Sequence, residues 1–385
     1  MDCVEEDLLI LRKSVREFAS KHVVPLARKI DAENWYPREL VREMGRMGIL
    51  APNVPEDLGG AGLDLLGVSV VLEELARFSG SVALISEVQG TLVTHILVSN
   101  ASKRVAEEVI PKLASGDAIG SFALSEPCCG SDAANIETSI ERQGGEWVVK
   151  GRKTWITQGL YADYFIVFGR TGPRSERHRN IAAVLLKRSS CIKTNPIEVM
   201  GFRGTGTAEV VIDECRAGDD DIIAPPREGF KVAMDALNVG RVAISALGVG
   251  LAEAAYEEAY SFLTQRIAFE KPVIEFQAIQ FTLADLYTLI ESSRSLVYRA
   301  AELYRKGSED FPVMAAVTKL HSSQASVRVA NEAVRLMGGY GYSKESNVER
   351  IYRDSKLLEI GEGTNEILKL VISKHLLRHG AKWLL

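Results

Sequence analysis

Three kinds of hydrophobic patterning follow one another along the chain. Up to about residue 118, apolar residues recur at helical spacing. Leu8, Leu11, Val15, Phe18 and Ala19 make one stripe within 4–30, and Pro25 is placed to bend or end that helix. Tyr36 to Met47 reads as a second helix, with Pro37 at its start. The loop PEDLGGAGLD (55–64) follows, its glycines supplying turns. Residues 64–79 and 81–98 read as buried helices, and 102–114 as another. From Ile119 to about Ile223 the period drops to near two. The strand-like runs are GSFALSE, NIETSIERQGGEWVVKGRKTWIT, DYFIVFGRT, NIAAVLLK and GTAEVVID, and the GG at 144–145 reads as a hairpin turn. From Gly229 the helices return and are long, over 229–266, 272–305, 312–338 and 364–379. Four long helices predict a bundle. The expected fold is therefore α+β and multidomain. An N-terminal helical domain (1–118) precedes a β-barrel or sandwich domain (119–227) and a C-terminal four-helix bundle (228–385). A β domain between two helical ones makes a cleft at the junction, a common place for a ligand.

Composition changes this picture little. The chain has 385 residues, 46% hydrophobic and 25% charged, enough for two or three domains. A net charge of -5 gives no reason to expect nucleic acid or an anionic membrane surface. The start, MDCVEEDLLILRKSVREF, is acidic and amphipathic and does not read as a targeting segment. No run is expected to reach the ~18 apolar residues of a spanning helix; VAISALGVGLAEAA (242–255) comes nearest. Five cysteines, odd in number and irregularly spaced, read as reduced thiols in a cytoplasmic protein. Adjacency of Cys128 and Cys129 disfavours a disulfide between them, and no second Cys or His pair nearby suggests zinc. The acidic run DECRAGDDD (213–221) reads as a solvated connection. HExxH, GxSxG, P-loop and GxGxxG motifs are all missing.

Candidate chemistry gathers in a few short stretches. In LLEIGEGTNEI (357–367), Glu362 lies between Gly361 and Gly363, just before a helix opening at Thr364. Glycine flanks permit unusual backbone angles and close ligand approach, so Glu362 is a candidate general base; the bland reading is a solvated loop acid. LSEPCCGSD (124–132) ends a strand and turns at Pro127 and Gly130, offering N–H groups and the Ser131 hydroxyl. In KTWIT (153–157), Trp155 and Thr157 share a strand face, an indole beside a hydroxyl, which suits a flat heteroaromatic group. QRIAFEKPVIEFQAIQ (265–280) brings Arg266 and Phe269 to a helix end and Gln277 to the next start, a place for a pyrophosphate. RLMGGYGYS (335–343) is a Gly-rich turn that could approach a nucleotide or serve as a C-cap. Arg241 stands in an apolar helix, one face shared with Ser245, and a structural ion pair explains it equally well.

Together these segments resemble the acyl-CoA dehydrogenase family over essentially the whole chain. The residues that carry the resemblance are PEDLGGAGLD (55–64), LSEPCCGSD (124–132), KTWIT (153–157), MGFRGTGTAEVVID (200–213), GFKVAMDALNVGR (229–241), RIAFEKPVIEFQAIQ (266–280), LMGGYGYSKESNVERIYRD (336–354) and IGEGTNEI (360–367), in the family's order and spacing. The resemblance implies an acyl-CoA dehydrogenase-like fold, FAD, and a homotetramer built as a dimer of dimers. It implies α,β-dehydrogenation of an acyl-CoA in fatty acid β-oxidation. The α-proton goes to Glu362, the β-hydride to flavin N5, and electrons pass to an electron-transfer flavoprotein. Phe122, Leu124, Ser125, Gly130 and Ser131 are then expected along the flavin, with Trp155, Ile156 and Thr157 at its ring. Arg266, Phe269, Gln277, Arg335, Gly338 and Gly339 are expected to reach the FAD of a neighbouring subunit, and Thr364 and Glu366 its adenosine. Ser131, Asn238, Arg241, Gly361 and Gly363 are expected at the substrate. Burial is expected to raise the pKa of Glu362 and the helix at Thr364 to lower it.

The chain departs from the family at five of these places. Arg335 stands where Gln is usual, Glu270 where Gly is, Ala268 where a hydroxyl is common, and Asn238 where an acid is. Gly361 replaces an aromatic and leaves room for a branched or bulky acyl group. Some branched-chain members place the base just before the residue corresponding to Arg241; here Gly240 occupies that position and cannot act. An O2-using flavin oxidase or monooxygenase on the same fold is the alternative. Such relatives commonly lack the base, so Glu362 argues against it.

Overall fold

The structure, a computed structural model, describes residues 2–380. Residues 381–385 of the expected bundle domain and the side chain of Cys3 lie outside the described part. Eight helices come first: α1 (Asp2–Phe18), α2 (Val24–Ala32), α3 (Arg38–Arg46), α4 (Leu65–Ala76), α5 (Gly80–Glu87), α6 (His95–Asn100), α7 (Lys103–Glu108) and α8 (Ile110–Ala114). Pro25 lies in the first turn of α2, where a missing N–H costs little. The chain stays helical through it by a π turn at Ala19–Val23. A second π segment, Val88–Thr94, joins α5 to α6. Asp64, Ser79 and Ser102 cap α4, α5 and α7 through side-chain oxygens.

The middle of the chain is one hydrogen-bonded sheet. Its strands are β1 (Gly120–Ala123), β2 (Ser139–Gln143), β3 (Glu146–Ile156), β4 (Tyr164–Arg170), β5 (Ile181–Lys187), β6 (Ile192–Pro196), β7 (Ala208–Ala217) and β8 (Ile222–Ala224). They run in the order β6-β7-β3-β2-β4-β5-β8, with β1 parallel to β4. The expected GG turn joins β2 to β3, with φ of 60° and 92° at Gly144 and Gly145. Strands β6 and β8 escaped the sequence reading because one is largely polar and the other only three residues long.

The C-terminal helices are α9 (Gly229–Gln265), α10 (Gln277–Arg305), α11 (Phe311–Met337), α12 (Gly339–Tyr342), α13 (Asn347–Leu357) and α14 (Asn365–His379). Between α9 and α10 lies a small hairpin, β9 (Ile267–Ala268) and β10 (Lys271–Pro272), so α10 begins five residues later than its apolar pattern implied. Helix α13 was not anticipated. It is largely polar and charged, and it meets the core through Val348, Ile351, Tyr352 and Leu357 together with the buried Asp354 and Ser355.

Helix α9 is the common wall. It packs on α4 of the first domain and on α11 of the bundle. A Cβ at Gly250 would lie 2.1 Å from the Glu73 carbonyl, so only glycine allows α4 and α9 this close. Charges lock the same junction. Arg12 reaches Glu73 and Glu74 at 2.7 and 2.6 Å, and Arg294 reaches Glu73 at 3.1 Å. Two helical stretches, Gly80–Asn100 and Gly229–Gln265, are long and apolar enough to cross a membrane, which corrects the expectation that none would be. Of those windows 89% and 78% are buried inside the protein, so the apolar surface is core.

The cysteines also depart from expectation. Cys128 is bonded to Cys129, and Cys191 to Cys215. The second pair joins the residue just before β6 to β7, and the antiparallel pairing of those strands brings its Cα atoms to 5.4 Å, within disulfide reach. Twenty-four residues of sequence hide that proximity. The adjacent pair closes on itself in the turn after β1.

Candidate active site

The Glu362 turn is held by main-chain bonds and by two cations. The amides of Ile360 and Gly361 both donate to the Leu357 carbonyl at 2.8 Å, and that of Asn365 to Glu359. Glu362 sits at φ +55° and Gly363 at +99°. A left-handed glutamate is uncommon and signals that its surroundings dictate its position. Arg241, from α9, donates through Nε to the Glu362 carbonyl at 3.2 Å and through Nη1 to Asn238 Oδ1 at 2.7 Å. Lys319, from α11, donates to the Gly363 carbonyl at 2.7 Å. Thr364 then caps α14, its hydroxyl accepting from the Ile367 amide.

Both cations bond main-chain carbonyls of the turn, and neither bonds the Glu362 carboxylate among the described residues. Its Oε2 is buried without a hydrogen-bond partner among the described residues. Gly240 makes space for it, since a Cβ there would lie 2.6 Å from that oxygen. Burial raises the Glu362 pKa above the ordinary glutamate value, while a hydrogen bond from Glu87 and the charges of Lys319 and Arg241 hold it down. Desolvation, one of the two influences expected from sequence, is the largest cause. Burial pushes Lys319 down to about 8, with the Glu362 charge opposing. The arrangement presents a buried carboxyl of raised proton affinity, the property a general base needs.

A second group lies along β1 and β3. The Thr154 amide donates to the Ser125 carbonyl, and the Ser121 hydroxyl to that of Thr157. Trp155 stands at φ +60°, at an irregularity where β3 slips against β7, and is 62% exposed. Thr157 is half-buried beside it. Leu124 and Ile156 point into the core and offer only main-chain atoms outward. Phe122 packs its ring on Phe168 at 5.0 Å. Gly130 and Ser131 are exposed in the turn, and a Cβ at Gly130 would touch nothing. Under this turn lies an ion pair that sequence did not reveal. Lys153, wholly buried, donates to Glu126 at 2.8 Å and to the Leu124 carbonyl at 3.0 Å. Glu126 also accepts the amides of Glu137 and Thr138. Burial takes Lys153 down to about 8 despite the Glu126 charge.

A third group lies at the end of the bundle. Arg266, Gly338 and Gly339 line a cavity of about 750 Å³, with the Arg266 guanidinium 5.9 Å from the Tyr340 ring centre. Phe269, at φ +51° and 89% exposed, meets Phe276 edge-on in the adjoining hairpin, and Gln277 opens α10. Arg335 and Glu366 do not join the cavity lining. The first pairs with Glu332 at the surface and the second lies near Lys369. None of the β1–β3 residues lines this cavity.

These surfaces fit FAD. An exposed indole on forced backbone, flanked by main-chain polar atoms and a hydroxyl, suits an isoalloxazine ring. An arginine beside an open glycine turn suits a pyrophosphate. Two residues that act on Glu362 were missed in the sequence, Glu87 and Lys319. The available signal was a single charge in an otherwise apolar or small-residue helix, VALISEVQG and MAAVTKLHSS.

Comparison with known proteins agrees with this geometry. Family models described as the acyl-CoA dehydrogenase N-terminal, middle and C-terminal domains match residues 5–117, 121–215 and 227–377. The chain belongs to the acyl-CoA dehydrogenase family, whose members are FAD-dependent oxidoreductases. Among relatives, the mitochondrial short-chain specific acyl-CoA dehydrogenase of Homo sapiens is 38% identical over 371 residues, covering 96% of this chain and 90% of that one. Butyryl-CoA dehydrogenase from Megasphaera elsdenii superposes with a TM-score of 0.93 at 33% identity, over 96% of this chain and 98% of the other. A chain in a solved structure of the electron transferring flavoprotein of Acidaminococcus fermentans, described as a study of flavin-based electron bifurcation, superposes at 0.94 with 32% identity. It covers 97% of this chain and 98% of that one.

Proposed function

We propose that this protein dehydrogenates a short-chain acyl-CoA to the trans-2-enoyl-CoA, with Glu362 as the base. The observation that carries the reading is the buried, unpartnered Glu362 oxygen on a turn pinned by Arg241 and Lys319. FAD, when bound, supplies the acceptor for the β-hydride. Glu362 takes the α-proton. The C–H bond breaks, an O–H bond forms on the carboxylate, and the electron pair moves toward the thioester carbonyl. The Glu362 amide is without a backbone acceptor among the described residues, so it is free to donate to that developing oxyanion. Asn238 and Arg241 stand next to the turn as candidates for the CoA side, with Gly361 and Gly363 leaving room for the thioester.

Short acyl groups are favoured because protein closes in behind the base. Leu92 approaches Gly240 beside the Glu362 oxygen, and the polar Glu87 contacts the carboxylate from α5. The short-chain relative and the butyryl-CoA enzyme support the same choice. An electron-transfer flavoprotein is the proposed acceptor, supported by the likeness to a chain in such a structure. A homotetramer is proposed because Phe269 and Tyr342 lie 89% and 86% exposed in the segments next to the pyrophosphate-type cavity, whose lining does not include Trp155. The test is anaerobic bleaching of the purified yellow protein by a panel of straight, branched, aromatic and dicarboxylic acyl-CoAs. Butyryl-CoA is expected to bleach it fastest among straight chains. Fastest bleaching by a long-chain or aromatic thioester would overturn the substrate choice.

A further inference from the structure

Helix α5 is buried along its whole length, and its last residue is a glutamate. Glu87 is 0% exposed. Its Oε1 lies 2.7 Å from the Thr91 hydroxyl, which also lies 2.9 Å from the Glu87 carbonyl, so one hydroxyl proton serves two acceptors. Its Oε2 is buried without a partner among the described residues. No cation among the described residues is in contact with it; the groups that face it are Thr91 and Glu362. Glu362 also has an orphaned buried oxygen, and it is faced by Glu87 from α5, Arg241 from α9 and Lys319 from α11.

Two buried carboxyls in contact do not both ionise; one keeps a proton. The surroundings decide which. Glu362 has two cations within electrostatic reach, whereas Glu87 has none. An ionised Glu87 would be a buried charge without compensation, and a buried group in that position neutralises. The proton therefore belongs on Glu87, and the negative charge on Glu362.

We propose that Glu87 is a neutral carboxyl whose O–H donates to the Glu362 carboxylate, a positioning residue that aims the base and keeps it ionised at neutral pH. The inference rests on the reading of Glu362 as the base. During the α-proton step no proton leaves Glu87. Two carboxyls sharing one proton become two carboxyls with two, and the electron pair goes to the thioester. Loss of the donor leaves desolvation less opposed, so Glu362 then ionises only at higher pH.

The test uses holoenzyme with Glu87→Gln and Glu87→Leu, both close to glutamate in volume. The acid limb of kcat/KM is expected about one pH unit or more higher in Glu87→Leu, because a hydrogen bond to a charged group is lost. It is expected within a few tenths of wild type in Glu87→Gln, whose amide still donates. A purely structural role would lower the rate without moving the limb. Superimposable profiles for Glu87→Leu and wild type would overturn the proposal, as would equal shifts in both variants. Infrared spectra at neutral pH give a readout independent of turnover: wild type shows a protonated-carboxyl C=O band that Glu87→Gln lacks. Absence of that band from wild type refutes the neutral carboxyl even if Glu87→Leu fails to fold. Failure of the base reading shows separately, as full bleaching of Glu362→Gln.

Discussion

Three non-glycine residues in the candidate site, Trp155, Phe269 and Glu362, occupy left-handed backbone at φ of +60°, +51° and +55°. Each such residue costs on the order of 1–3 kcal/mol unless its surroundings fix it. At Glu362 the fixing is visible in the Arg241 and Lys319 bonds to its turn. At Trp155 and Phe269 the large exposed rings face outward, where a ligand or neighbouring subunit is proposed to cover them. Buried charge near the site leaves a second mark, on stability. Asp354 is wholly buried and accepts the Phe202 amide at 2.5 Å; desolvation raises its pKa from 3.8 to about 6, with that bond and Arg350 opposing. A raised folded-state value means that between about pH 4 and 6 the native state holds a proton the unfolded chain has released. Stability is therefore lost as pH rises through that window. Asp354→Asn removes the titration. Relative to the variant, wild type is expected to lose roughly 2 kcal/mol between pH 4 and 6.5, at ~1.4 kcal/mol per unit. Paired urea titrations at the two pH values measure it, and a constant difference would contradict the assignment.

Among the elements, the β9–β10 hairpin carries the clearest misfit between residue and backbone. Glu270 stands where the family usually has Gly, and its φ is +69°. A side chain there is strained, while glycine is not, though glycine costs entropy on folding. Glu270→Gly is expected to stabilise by roughly 0.5–1 kcal/mol, read as a higher urea midpoint at unchanged slope. A lower midpoint would show that the glutamate makes a contact worth more than the strain. The position was visible in the sequence as a departure, but its backbone angle was not. The same limit applies elsewhere. KTWIT drew attention to Trp155 and Thr157, yet Lys153 in the same motif pairs with Glu126, twenty-seven residues away, across strands whose register sequence does not show. Helix α13 was missed because its narrow apolar stripe, Val348, Ile351 and Tyr352, is set among charged residues. Glu87 was missed because a uniformly apolar run gives no face on which to place a charge.

On the scale of the whole molecule the sequence was most informative. Change of hydrophobic period, from helical to alternating and back, marked the helix–sheet–helix order, because period follows directly from which face each element buries. What period does not carry is the closure of one element on another. Close contact of α4 with α9 at Gly250, and the convergence of α5, α9, α11 and the α13–α14 turn around one carboxylate, come only from packing. The exposed aromatic end of the bundle leads to a prediction at this scale. Native mass measured by light scattering is expected at four times the 42.2 kDa chain. Arg266→Ala is expected to weaken FAD retention without changing that mass. A monomeric holoprotein would contradict the proposed assembly.

Everything proposed for the chemistry turns on one side chain. The most direct measurement is anaerobic titration of Glu362→Gln, loaded with FAD, against the acyl-CoA that bleaches wild type fastest. Glutamine keeps the volume and cannot take the α-proton. The variant is expected to stay yellow, to bind the thioester with a shifted flavin spectrum, and to lose at least three orders of magnitude in the rate of bleaching. Full bleaching at a rate within tenfold of wild type would show that another group is the base.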